Sequence, residues 1–187
     1  ALSPYSTPSS FGALTAAQIR GFSATTVGDL ADTQISALSA SQVVALSDTG
    51  LAAFDATQMA AFSTTQVGAL TRNQLAAMSV ATFGSLEATQ TAALSVTQMR
   101  ALTTTQLGTL DASDVAEFST VQLAALASTQ VDALTATNMA SLAETQVAAF
   151  TASQIKSISA TELAAFADTQ IAALTATQVG GLTNTQV

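Results

Sequence analysis

Leu14-Thr15-Ala16-Ala17-Gln18-Ile19 is the stretch that decides the fold. Thr15, followed three residues later by Gln18, is a capping box. Its hydroxyl accepts the third helical amide, and the Gln side chain reaches back to the cap amide, so two donors that a helix start leaves open are satisfied. Leu14 precedes the cap and Ile19 falls at the fourth helical position, the pair that forms a hydrophobic staple. The phrase returns as Phe62-Ser63-Thr64-Thr65-Gln66-Val67 and as Phe150-Thr151-Ala152-Ser153-Gln154-Ile155. A single box is common by chance; box and staple recurring in one register predict a new helix start at every recurrence.

Gln sets that register. From Gln18 to Gln186 there are 22 positions spaced by eight, of which 16 are Gln, with no slip. The others are Thr26, Gly50, Thr82, Asp114, Asn138 and Glu162. Four residues before the register position all 22 residues are Leu, Phe, Met or Ile; one residue after it 21 of 22 are apolar, Thr91 being the exception. Three before it 17 of 22 are Ser, Thr or Asp, and five before it 19 of 22 are Ala, Gly or Ser. Such a period over residues 11–187 predicts an all-α solenoid or superhelix of short helices, one per octad, each with about six or seven helical residues.

A single continuous helix fails, because eight residues turn it by about 800° and the apolar stripe drifts about 80° per repeat. A β-solenoid is the competing reading. Stretches such as Thr103-Thr104-Thr105 suit strands, but the apolar pair recurs at spacings of three and five, not two. The expected core is Leu14, Ile19, Phe22, Phe54, Phe62, Phe118, Phe150 and Phe166, with Met59, Met78, Met99 and Met139 as filler. The expected caps include Thr15 with Gln18, Ser63 with Gln66, and Thr151 with Gln154. Small residues before the staple, such as Gly21 and Ala37, suggest close backbone approach. Five of the six column Phe residues (22, 54, 118, 150, 166) differ by multiples of 16, and only Phe62 does not. That spacing suggests that two octads form one antiparallel pair.

Composition narrows the chemistry. Charged residues make up 9% of the 187, with a net charge of −8 and no His or Cys. No ordinary soft-metal ligand set, thiol nucleophile or His base is available. Four scattered basic residues on an acidic chain disfavour nucleic acid. No apolar run is long enough to insert into a membrane. Asp111, Asp114 and Glu117 are the one acidic cluster, and they fit neither an EF-hand nor a calcium-binding Gly-Gly-x-Gly-x-Asp repeat. No cofactor, metal or enzymatic activity is expected.

Residues 1–10, with both prolines and Tyr5, fall outside the Gln register and read as a leader or docking segment. At the other end Leu182 and Val187 have no following octad to cover them. Tyr5, Leu182 and Val187 are therefore the candidate self-association residues.

Leu174-Thr175-Ala176-Thr177-Gln178-Val179 is similar to the first helix of TAL-effector repeats. The likeness covers one helix and brings no DNA-reading residue with it. The array as a whole, residues 11–187, resembles the Ala/Thr/Gln-rich octapeptide repeats of large bacterial secreted or cell-surface, adhesin-like proteins. That resemblance implies export and a role as stalk, fibre or matrix element. The expected partner is the protein itself, in a homo-oligomer or filament. The alternative is a solenoid that binds a glycan, a surface or ice.

Overall fold

The computed structural model describes residues 7–187. Every regular element among them is an α-helix of four to six residues; there are 22 helices and no strand. The β-solenoid is therefore not supported, and each octad up to that of Gln178 builds one short helix, while residues 184–186 form only a turn.

The helix starts follow the capping chemistry. Thr151 is extended (φ −73°, ψ 158°), its Oγ1 accepts the Gln154 N–H at 3.2 Å, and Gln154 Oε1 accepts the Thr151 N–H at 2.7 Å. Where Ala takes the cap position only the second bond survives, as at Ala127, whose N–H donates to Gln130 Oε1 at 2.7 Å. The helix ends are equally local. Leu46 leaves the helix at φ −60°, ψ 139°, while its N–H still donates to the Val43 carbonyl at 3.1 Å. Leu46 and the cap after it, Ser47, are both extended and turn the chain into the next helix. No described residue has a positive φ, so the corner requires no glycine. Seven helices, such as Ala40–Ala45, reach the six residues expected, and the others stop one or two residues earlier; none reaches seven, because the staple residue and the cap are both taken up by the corner.

The chain forms two compact units, Ala1–Leu94 and Ser95–Val187. In the first, helix Ala24–Gly28 packs on Asp48–Leu51, and Ala40–Ala45 packs on Thr64–Ala69. In the second, Ala112–Ala116 packs on Ala136–Ser141, and Ser128–Val131 on Ala152–Ser157. Within each unit the helices thus meet the third one along, the regular contact of a solenoid, and three octads of eight residues make a 24-residue coil. This corrects the pairing suggested by the Phe spacing. Phe62, the residue off that spacing, lies edge-on to Phe54 with ring centroids 5.3 Å apart. Consecutive octads point their staple residues into one shared interior, so the spacing of the rings carries no information about helix pairs.

The two apolar columns form the core of each unit. Leu14, Ile19, Phe54, Phe62, Phe118, Phe150 and Phe166 are buried, as are Met59, Met78, Met99 and Met139. Phe22 is only half-buried, with its ring 5.9 Å from that of Phe11. Phe11 belongs to an octad earlier than the Gln column indicates. The Thr7 hydroxyl accepts the Ser10 N–H at 3.3 Å and opens helix Pro8–Gly12. Proline suits that first helical position, since its missing N–H would be unpaired anyway. Residues 7–10, read as part of the leader, thus begin a helix with Ser10 in the register position. Tyr5 lies outside the described residues.

Candidate functional site

The register Gln does two jobs. Its Oε1 closes the capping box, and its Nε2 reaches into the preceding coil. Gln66 Nε2 donates to the carbonyls of Ile35 and Leu38, both at 2.8 Å. Gln154 Nε2 donates to Leu123 at 2.9 Å and Leu126 at 2.8 Å. The acceptors lie 31 and 28 residues earlier in each case. They are the residue after the register position and the staple residue before the next cap. One buried amide thus secures a helix start and clamps two coils together, with its oxygen and both amide hydrogens engaged. Shorter donors do part of this: Asn138 Nδ2 reaches only Leu110, at 3.1 Å, and Thr82 Oγ1 only Phe54, at 3.2 Å.

By sequence alone Gln18, Gln66 and Gln154 are capping residues. Gln66 and Gln154 both cap and clamp, and Thr15, Ser63 and Thr151 occupy their cap positions. A signal for the second job was present. Glu serves a capping box as well as Gln does, and its charge suits a helix N-terminus, yet Glu occurs once in the register column, at 162. A box that selects Gln over Glu is one that also needs a donor.

Backbone contacts between coils add to the clamp. A Cβ at Gly108 would stand 3.0 Å from the Ala133 carbonyl, and one at Gly28 would stand 3.7 Å from the Ala53 Cβ. Ser36 Oγ reaches the Ala61 carbonyl at 3.2 Å, and Arg100 Nε the Ala125 carbonyl at 3.0 Å, on the same 25-residue step. Ala37 takes part through its carbonyl, 3.2 Å from a Cβ placed at Gly12, whereas Gly21 meets only its own helix.

Leu163, Phe166, Ile171, Leu174, Val179 and Leu182 line an open depression of about 390 Å³. All six come from the two core columns. Ile171 is 43% and Val179 50% exposed, whereas Ile155 in the same column is fully buried. Leu182 is half-buried here, and Val187, at its edge, is 94% exposed.

The acidic cluster is a capping box built from carboxylates. Asp111 Oδ1 accepts the Asp114 N–H at 2.9 Å, and Asp114 Oδ2 accepts the Asp111 N–H at 3.0 Å. Burial raises the Asp114 carboxyl above the ordinary carboxylate range; the Asp111 N–H opposes this and the Asp111 charge adds to it. Among the described residues no group of three or more acidic, His or Cys side chains is gathered for a metal. No described helix is long and apolar enough to cross a membrane.

Comparison with protein-family models, with curated proteins and with solved structures finds no match for this chain.

Proposed function

We propose that this chain is a non-enzymatic structural element, a segment of a bacterial surface fibre or adhesin stalk, which works by stacking coils and self-associating. The observation that supports the reading is the repeated clamp between coils, in which one buried amide ties a helix start to the coil before it, as at Gln66 and Gln154; a heterologous contact between copies that does not close gives filaments. Export follows from the resemblance to secreted octapeptide arrays. Sedimentation velocity across a concentration series, with negative-stain imaging, tests the reading. Linear assemblies that lengthen with concentration are expected, and a strict monomer throughout would reduce the array to a passive spacer.

A second reading is a solenoid that binds a glycan, a surface or ice. It draws on the residue before the register position, often Thr, as at Thr57, Thr105 and Thr129, and exposed. An ice-recrystallisation assay with these three Thr→Ala variants separates it from the first.

A further inference from the structure

We propose that the threonine just before each register position is the acceptor for an O-linked sugar, so that the coils carry a coat of neutral glycan. The inference stands apart from the self-association reading and draws on a different column of the octad.

This column is selected for a hydroxyl. Of its 22 residues, from Ala17 to Thr185, 15 are Thr and 3 are Ser, and all 22 are exposed. The residue one step earlier lies in the same first helical turn, yet it is Thr at 3 of 22 positions and Ala at 10. Thr is the poorer helix former of the two, so a helix start does not call for it. A position that is merely solvated tolerates many side chains, as the earlier column does with Asp32, Arg72, Val80 and Glu144.

The hydroxyls do not serve the fold either. The Ser47–Thr49 pair, with hydroxyls 3.2 Å apart, shows that this position can support a cap hydroxyl. Five helices, however, open on a cap that makes no side-chain bond: Ala31, Glu87, Ala127, Ala143 and Ala167. The column residue two places on is Thr in all five, from Thr33 to Thr169. Those five hydroxyls have no partner among the described residues.

The 24-residue coil carries the column round each unit. In the second unit helix Thr104–Gly108 packs on Ser128–Val131, which sets Thr105 and Thr129 on successive coils of one side. Thr137 and Thr161 follow each other on another side, and Thr145 and Thr169 on the third. A flat ligand such as ice touches one side of a solenoid, whereas a column on all three sides suits a group attached residue by residue. Packed helices stand about 8–10 Å apart, which leaves room for a sugar ring on each Thr. Phosphate on the same hydroxyls would add about −1.5 to −2 charges each to a chain already at −8, coil upon coil. A sugar hydrates the surface without that repulsion.

In the transfer, Thr Oγ1 attacks the anomeric carbon of a nucleotide-activated sugar. The bond from that carbon to the nucleoside diphosphate breaks, the diphosphate leaves with the electron pair, and the hydroxyl proton passes to a base on the glycosyltransferase of the producing cell. The acceptor takes no part in the capping box, so the helix starts survive its modification. The cap hydroxyls are different: that of Thr151 accepts the Gln154 N–H at 3.2 Å and that of Ser63 the Gln66 N–H at 3.3 Å.

Mass mapping of proteolytic peptides tests the proposal, with the protein isolated from the cells that produce it set against the same chain made in a host without the transferase. Peptides from the producing cells are expected to be heavier by whole sugar residues. Mild alkaline β-elimination is expected to remove the excess and leave dehydrobutyrine at column threonines such as Thr57, Thr105 and Thr145, with Ser63 and Thr151 unmodified. In the producing cells, a Thr129→Ala/Thr137→Ala/Thr145→Ala variant is expected to lose the sugar from the peptides that span these positions. The matching Thr→Ser variant is expected to keep it, and both are expected to leave the circular dichroism spectrum unaltered. Peptides of bare mass throughout would overturn the proposal. So would phosphate in place of sugar, or sugar spread over cap and column hydroxyls without preference.

Discussion

Gln154 binds Leu126, its partner 28 residues earlier, through an Nε2 only 2.8 Å from that carbonyl, while its Oε1 holds the Thr151 N–H. Helix initiation and coil stacking therefore depend on one side chain, and replacements that separate donor from acceptor distinguish the two roles.

Gln154→Glu keeps the acceptor for Thr151 but cannot donate, and it brings a charge to a buried place. Two carbonyls, of Leu123 and Leu126, lose their donor. The expected loss is about 2–4 kcal/mol in urea unfolding, and a loss below about 0.5 kcal/mol, less than a typical hydrogen bond contributes, would mean that the clamp contributes nothing.

The reverse change is available at Glu162. Its Oε2 accepts the Ser159 N–H at 2.7 Å, and by the 28- and 31-residue rule a Gln there would reach the carbonyls of Leu134 and Val131. Glu162→Gln is expected to stabilise the protein by about 0.5–2 kcal/mol, read as a raised urea midpoint at unchanged m-value.

The inner and outer faces differ in cost. Phe118 is buried and Thr104 exposed, so Phe118→Ala is expected to cost about 3–5 kcal/mol and Thr104→Ala to stay within about 0.5 kcal/mol. Equal effects in thermal melts would place the core on the wrong face.

Asp114 supplies a pH test. Its carboxyl is raised in the folded chain, chiefly by burial, so the folded state holds this proton more tightly than the unfolded one. By linkage, its ionisation lowers stability as pH climbs from the ordinary carboxylate range through the raised value. Asp114→Asn removes that loss. The variant is expected to gain on the parent as pH rises through that window and to hold a constant advantage at neutral pH, as followed by melting temperature against pH. An advantage that instead grew on acidification would reverse the sign.

Much of this was legible in the residues. The eight-residue period, the caps and the two apolar columns follow from side-chain chemistry local to each octad, and the helices start where Thr15, Ser63 and Thr151 say they do. Two things were not. The number of helices per coil depends on the angle between successive helices, which is set by two extended residues such as Leu46 and Ser47 at ordinary dihedrals that many sequences adopt. The first octad was missed because Ser10 occupies the Gln position, although Thr7 and Phe11 stand in their proper columns. At the candidate site the apolar lining was readable as Leu182 and Val187, but the carbonyl acceptors are backbone groups without a signature of their own.

Because corners such as Leu46-Ser47 are made by residues of the octad itself, the octad and not the coil is the unit of inheritance. Loss or duplication of one octad by slippage during replication would rotate all later helices by one third of a coil. Each would still find an equivalent neighbour three helices away. Within a unit, array length is thus free to drift in steps of eight residues without a compensating mutation, whereas a change of one residue would carry each later Gln away from both its cap and its carbonyls. Selection on such a gene would tolerate variable copy number and punish frame within the octad.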